Sequence, residues 1–210
     1  MKKIILIAAM AAFAVSTYAQ LGVQVGYVLP TTTSKTDSHK TSVSINGIQA
    51  GVNYTYYYND NFFVQPALLY TYGFKNENTE AMGVNIGKSA LTSHTIDLPI
   101  RLGYSLPIAD DFKVFAFAGP DFQYNIDQIN KFKIGDGDWS KGASIYGTKD
   151  IPNKDFSHLD ILLGAGIGAT YKSITLKAGY DFGLLNKYVG DLDKSSIHTN
   201  AFSVALGFAF

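Results

Sequence analysis

The residues after position 19 alternate between apolar side chains and small or polar ones with a period of two. The final segment shows this most clearly, because Phe202, Val204, Leu206, Phe208 and Phe210 stand at every second position. A period of two places the two sets on opposite faces of a β-strand, whereas a helix face repeats every 3.6 residues. The chain is therefore predicted to be all-β, with eight antiparallel strands. They are expected near residues 20–30, 43–57, 62–74, 92–106, 112–126, 158–171, 174–185 and 198–210.

The connections between these segments alternate in length. Tight turns are predicted at 59–61, 109–111 and 172–173, and long polar loops at 31–42, 75–91, 127–157 and 186–197. Short turns at one end and long loops at the other are typical of an up-and-down transmembrane β-barrel. Pro66 and Pro99 lie inside predicted strands, and because each removes a ladder donor, local bulges are expected there.

The first nineteen residues have the three parts of a secretory signal. Lys2 and Lys3 precede an apolar run over 4–15, and Thr17-Tyr18-Ala19 supplies small residues for cleavage. The run is shorter than the roughly 20 residues that a spanning helix needs. We therefore predict a signal peptide over 1–19 and one barrel domain over 20–210. Cysteine is absent, which excludes disulfides and lipid attachment through a thiol.

The polar face of the strands is rich in glycine and carries a small, balanced set of charges. An eight-stranded barrel has room inside for small side chains, so the glycine face is predicted to line the lumen and the bulky face to contact lipid. A soluble, lipocalin-like barrel would have the opposite orientation, with its apolar face inside and its polar face toward water. Arg101 is the single arginine of the chain, and its planar fork suits pairing with buried carboxylates. The predicted lumen ion-pair network comprises Asp97, Arg101, Lys113, Asp160, Lys177 and Asp181.

Overall charge argues against a nucleic-acid partner. The chain has 17 basic and 17 acidic residues, and loss of Lys2 and Lys3 with the signal leaves a small acidic excess. Nucleic-acid binding would need a clustered basic surface with a strongly basic total.

Several motifs together resemble the porin-like and PorT-like outer-membrane β-barrel family common in the Bacteroidetes, over the whole mature chain. They are Leu98-Pro99-Ile100-Arg101-Leu102-Gly103-Tyr104, Ala118-Gly119-Pro120, Leu163-Gly164-Ala165-Gly166 and the nine residues 178–186 (AGYDFGLLN). The resemblance implies a bacterial outer-membrane location and contact with outer-membrane lipids. The terminal Phe208 and Phe210 look like the signal that the barrel-assembly machinery reads. A location and a fold are implied more than a task.

Four local features could carry chemistry or a contact, and none of them carries a strong functional signal. His198-Thr199-Asn200 faintly resembles the histidine segment of outer-membrane lipid A deacylases but lacks their serine. The four histidines fall at the long-loop end on different faces, which argues against a shared metal site. Asp136 and Asp138 could offer oxygens to calcium but lack a ligand-spaced glutamate. Trp139 could contact a partner or pack within its own loop.

The sequence thus predicts a non-enzymatic barrel with a filled lumen, without cofactor or bound metal. Its role is expected to be structural, or to involve contact with an envelope protein through the extracellular loops. A narrow pore for small solutes, a lipid A-modifying enzyme and a soluble ligand-binding barrel are the alternatives.

Overall fold

A computed structural model describes residues 19–36, 39–81, 84–134, 137–147, 153–190 and 195–210. These ranges contain ten β-strands. They are β1 (Ala19–Thr36), β2 (His39–Ser44), β3 (Asn46–Tyr57), β4 (Phe62–Ala81), β5 (Val84–Ala109), β6 (Phe112–Ile134), β7 (Ser140–Ser144), β8 (Leu159–Tyr171), β9 (Ile174–Gly183) and β10 (Ser195–Ala209). Across the described ranges, no helix has the length and hydropathy needed to cross a membrane.

Eight of the strands close into a ring. Neighbouring strands pair antiparallel in the order β1, β3, β4, β5, β6, β8, β9 and β10, and β10 pairs back onto β1. The closing ladder is long, running from Gly22 opposite Ala209 to Thr36 opposite Ser195. The predicted eight-stranded antiparallel barrel is confirmed. Closure leaves no free sheet edge around the ring, which satisfies the backbone of every spanning strand.

The strands extend further than the alternation of apolar residues predicted. Much of the predicted loops at 31–42 and 75–91 is hairpin, because β1 continues to Thr36 against β2 and β4 pairs with β5 as far as Ala81. The predicted loop at 127–157 likewise contains the end of β6 and the short strand β7. These extensions lie beyond the apolar band, so both faces are polar and the pattern that identifies a half-buried strand is lost. Ladder bonds and paired hydroxyls hold them instead, for example Thr31 Oγ1 and Ser44 Oγ, which are 2.8 Å apart.

The predicted bulges at Pro66 and Pro99 are wrong. Pro66 pairs with Ile100 and Leu69 with Asp97, in the same register. The same holds on the other side of β5, where register is kept across Pro99. The ladder therefore passes both prolines without an inserted residue. The register shifts elsewhere, between Thr79 and Glu80 at the end of β4, between His94 and Thr95 in the middle of β5, and between Pro107 and Ala109 at the end of β5.

The two faces of the wall differ as the alternation predicted. Large apolar side chains of the outer face are exposed, with Ile167 68% accessible, whereas Leu162 on the inner face of the same strand is fully buried. Glycines of the inner face make room for large neighbours. A Cβ on Gly103 would collide with the Phe63 ring, and one on Gly164 with the Asp181 carboxylate. A barrel of eight strands has just enough interior volume for its own side chains.

Candidate functional site

The centre of the lumen is organised around the guanidinium of Arg101, on β5. Its Nη2 lies 2.5 Å from Asp181 Oδ1 and 3.7 Å from Asp121 Oδ2, and Nη1 donates to the carbonyl of Gly119. Arg101, Asp121 and Asp181 are all buried. Arg101 and Asp121 stand on the neighbouring strands β5 and β6, whereas Asp181 stands on β9, so the pair of Arg101 with Asp181 joins distant parts of the wall across the axis. Asp121 has the same parity as Lys113 on β6 but was not among the predicted network residues.

Asp97 lies four residues from Arg101 on β5, toward the long hairpins. Its Oδ2 accepts hydrogen bonds from neutral partners, whereas its buried Oδ1 has no partner among the described residues. Thr71 donates to its Oδ2 at 2.6 Å and Gln49 donates to the same oxygen at 3.2 Å. Gln49 also bonds to Thr71 at 3.0 Å, which locks the three side chains together. No cation of the described residues lies within 4 Å of Asp97. Hydrogen bonds to neutral groups therefore hold this carboxylate, rather than the predicted ion pair.

The two predicted lysines occupy different environments. Lys177 points into the lumen on the side of the short turns, where its Nζ donates to Gln65 Oε1 at 3.1 Å. Gln65 in turn donates to Thr55 at 2.7 Å. Lys113 stays apart from the Arg101 cluster, because its Nζ lies over the Tyr57 ring, 5.4 Å from the centroid. Lys113 therefore does not join the ion pairs as predicted. It lies near the rim of the barrel, where its ammonium group contacts the face of an aromatic ring instead.

Aromatic rings fill the lumen at the short-turn end. The Phe63 ring lies 5.7 Å from Phe115 in an edge-to-face arrangement and 5.8 Å from Tyr57, and Phe117 follows Phe115 at 6.2 Å. The Arg101 guanidinium stands 5.9 Å from the Phe117 centroid. The interior is thus divided into an aromatic half and a polar half that meet at Arg101.

A second polar cluster lies at the long-hairpin mouth. Asp160 is 1% exposed, and its Oδ2 lies 3.9 Å from Nζ of Lys187, which follows β9. Predicted as a member of the central network, Asp160 pairs here with a lysine that sequence reasoning missed. Burial lowers the pKa of Lys187, and the charges of Asp160 and Asp97 oppose that shift. No local motif marked Lys187, since it lies in a polar connection with neither alternation nor a turn signature.

Three aromatic rings stack over this mouth. His158 lies between Tyr146 and Tyr124, with centroid separations of 4.2 and 5.5 Å, and its Nδ1 is 2.6 Å from the carbonyl of Asn125. Tyr146 is buried, and its hydroxyl has no hydrogen-bond partner among the described residues. Burial raises the pKa of the Tyr146 phenol, and the nearby charges of Asp160 and Asp127 raise it further.

Small cavities remain between these clusters. Three of them, each about 50 Å³, lie along the lumen. Gln49 and Gln123 line both the cavity at the mouth and the central one, while Gln65 and Lys177 line both the central one and the cavity toward the short turns. Each has room for a few water molecules with polar partners. The lumen therefore contains small polar pockets with room for water.

The remaining predicted residues lie on the surface or outside the residues that the structure describes. Phe208 and Phe210 are exposed on the outer face with their rings 5.4 Å apart, and the Phe210 amide donates to the Leu21 carbonyl at the closing seam. Trp139 is 49% exposed just before β7. Asp136 lies outside the described residues, and Asp138 is exposed. Within the described ranges, no group of three or more histidine or acidic side chains is arranged to hold a metal ion.

Solved structures similar to the chain are small bacterial barrels. Ail, the attachment invasion locus protein of Yersinia pestis, is 14% identical over 92% of this chain and 100% of its own, with a TM-score of 0.47. Neisserial surface protein A is 17% identical over 91% and 99%, with a TM-score of 0.42. The outer-membrane enzyme PagL is 11% identical over 88% and 98%, with a TM-score of 0.47. No curated protein sequence matches the chain.

A family model does match. The model described as "Outer membrane protein beta-barrel domain" aligns with residues 11–188, which is most of the chain. Together with the closed ring of eight strands and its apolar outer face, this match places the protein in the bacterial outer membrane. The chain belongs to the outer membrane protein beta-barrel domain family.

Proposed function

We propose that this protein is a non-enzymatic outer-membrane barrel with a closed lumen, serving as a rigid anchor for its extracellular hairpins. The observation that carries the proposal is the filling of the lumen. Arg101 binds Asp181 across the axis and reaches Asp121 on the neighbouring strand, and the rings of Phe63, Phe115 and Phe117 close the half below it. A barrel filled in this way resists deformation and does not offer a continuous wide path.

Conductance tests the closed lumen directly. The mature protein, folded and inserted into planar lipid bilayers, is expected to give no discrete current steps. Regular steps in the wild-type protein would instead support the narrow pore, for which the row of three cavities is the structural argument. A variant with Arg101, Phe63 and Phe115 all replaced by alanine serves as the positive control, because it removes both the bridge across the axis and rings from the aromatic half.

Contact with a partner is proposed through the long hairpins, which face the cell exterior in barrels of this kind. Trp139 is the residue of choice for a test, because it is a large, half-exposed aromatic side chain beside β7. A photo-crosslinking amino acid at position 139 should capture a specific envelope protein in intact cells. The same group at Tyr58, which is 80% exposed in a turn at the opposite end, is the matched control. Equal product patterns at the two positions would contradict a partner at the hairpins.

Two further proposals concern biogenesis. We propose that residues 1–19 are removed as a signal peptide and that Phe208 and Phe210 are read by the barrel-assembly machinery. Mass spectrometry of the purified protein should give a mature chain that begins at Gln20. Phe210→Ser should lower the amount assembled in the membrane without changing the refolding yield of the purified protein in detergent.

A further inference from the structure

The lipid-facing side of the wall continues upward into the extracellular hairpins without a change of face. On β1 that side carries Val25 and Tyr27, and the same alternation reaches Lys35 with no register shift against β10. On β5 it carries Ile96 and reaches Lys88, again with no shift against β4 over this stretch. Side chains two residues apart lie on the same face of a strand. Lys35 and Lys88 therefore stand above the lipid-facing surface rather than above the lumen.

Each of these lysines is opposed by another lysine. Lys35 pairs directly with Lys40 on β2, and Lys88 pairs directly with Lys133 on β6. Residues directly opposite in an antiparallel pair have Cβ atoms about 5 Å apart and share a face, and two like charges there destabilise the pair. Lys131 lies two residues from Lys133 on the same strand and adds to the second pair. We call these five residues the lysine face.

Neutralisation of the lysine face from within the protein is not seen. Among the residues whose side chains the structure describes, none of the five has a carboxylate oxygen within 4 Å, and the ion pairs of this end involve other residues, such as Lys75 with Glu77. The next neighbours across the ladder are Ser196 beside Lys35 and Asn78 beside Lys88. Two like-charged pairs recur on separate hairpins, and their strands lie on different sides of the ring. An external anion bound at each pair would offset the repulsion within that pair.

The distance of the lysine face from the membrane interface indicates which anionic group can reach it. Membrane barrels carry a girdle of exposed aromatic residues at each membrane interface, and Tyr27 and Tyr72 belong to the one nearer the hairpins. Lys35 is eight residues beyond Tyr27, and Lys88 is six beyond His94, which contacts Tyr72. At a rise of about 3.4 Å per residue and a strand tilt of about 40°, this is about 15–20 Å beyond the girdle. The headgroup zone of a phospholipid leaflet is about 5–8 Å thick. The face therefore stands above phospholipid phosphates, at the level of an extended sugar headgroup.

We propose that the lysine face binds phosphate groups carried on the sugar headgroups of outer-leaflet glycolipids. The surface is continuous with the lipid-contacting wall below it, so a lipid whose acyl chains pack on the wall brings its headgroup directly onto the lysines. Phosphate suits paired ammonium groups because it carries up to two charges and several acceptor oxygens. The barrel would thereby hold specific glycolipid molecules at both hairpins and fix the orientation of those hairpins.

Lipid retention tests the proposal. The full mature chain is placed in nanodiscs of phosphatidylcholine doped with lipooligosaccharide whose core is phosphorylated, with the same molecule after dephosphorylation, or with phosphatidylglycerol. Bound lipid is counted by native mass spectrometry after detergent release. Wild-type protein is expected to retain the phosphorylated form alone. Each lysine replaced should weaken binding at its own hairpin about fivefold, so K35Q/K40Q and K88Q/K133Q should each weaken lipid retention at one of the two hairpin sites by more than tenfold.

The matched control is K75Q/K172Q. Lys75 lies on the same hairpin as Lys88 but on the other face, paired with Glu77, and Lys172 lies in a turn at the opposite end. This double variant should retain glycolipid like the wild type. Retention unchanged in both lysine-face variants, or equal retention of the dephosphorylated form, would overturn the proposal. Equally tight binding of the detached core oligosaccharide would do so as well, because the site would then serve a soluble glycan. Since the two lysine-face variants are independent, loss of folding in one leaves the other as the test.

Discussion

Replacing Arg101 by methionine should destabilise the folded barrel by about 3–5 kcal/mol, the usual cost of removing one partner from a buried ion pair. The magnitude follows from what the change leaves behind. Asp181 and Asp121 have side chains only 10% and 7% exposed, and the guanidinium is the cation within 4 Å of both. The Gly119 carbonyl also loses its donor. Methionine has nearly the length of the arginine stem, so the change removes charge and donors more than volume.

The assay is urea unfolding of the mature protein in phospholipid vesicles, with folded and unfolded forms separated by their gel mobility without boiling. The midpoint should fall while the slope stays constant, since the same surface is exposed on unfolding. Proton uptake by one of the two carboxylates reduces the loss at low pH. The comparison with wild type is therefore made at pH 8.

Two further variants separate the charge effect from a packing effect. R101M/D121N/D181N removes the stranded charges and should recover at least half of the lost stability. K172Q breaks the pair between Lys172 and Asp111, whose side chains are more than half exposed, so screening limits the change to at most about 1 kcal/mol. If R101M unfolds within 1 kcal/mol of the wild type, or if the triple variant is less stable than R101M, Arg101 does not neutralise the lumen carboxylates.

Three other perturbations have defined outcomes. Gly164→Ala should cost about 1–3 kcal/mol in the same urea assay, because the added Cβ meets the Asp181 carboxylate, whereas Gly207→Ala has room and should be tolerated. Leu68→Arg puts a charge on the lipid face between the two aromatic girdles and should cost about 2–4 kcal/mol in vesicles; unchanged stability would place this face away from lipid. For Tyr146, the pKa raised in the folded state means that the unfolded chain loses its phenolic proton first as pH rises. Stability is then constant below about pH 10 and falls above it, and Tyr146→Phe should remove that part of the fall as read by proteolysis of the hairpins.

Much of the candidate site could be predicted because parity along a strand needs no knowledge of its neighbours. Asp97, Arg101, Asp160 and Asp181 stand at inward positions on strands whose outward positions are plainly apolar, and all four are buried inside the barrel. Which of them touch could not be predicted in the same way. Arg101 and Asp181 are 80 residues apart on strands that are not neighbours, and they meet across the axis.

The missed residues share a physical cause. Lys187 lies in a connection without alternation, and its side chain reaches the lumen only because the chain after β9 folds over the mouth. Lys113 has the correct parity, but its height on the wall places it near Tyr57 at the rim. Height depends on the stagger between strands, which the hydrophobic pattern of one strand does not encode. The strand extensions at β2 and β7 were missed because their pairing lies outside the apolar band.

The class of fold, the faces of the wall and the location follow from the order of the residues, because a strand alternates its faces with a period of two and a bilayer excludes unpaired backbone. Only the closed ring shows which carboxylate Arg101 binds, how the lumen divides into aromatic and polar halves, and where lysines oppose one another above the membrane. Those outcomes depend on register and stagger between strands far apart in sequence. The alternation along one strand determines which face a residue occupies, whereas closure of the ring determines which residues it contacts.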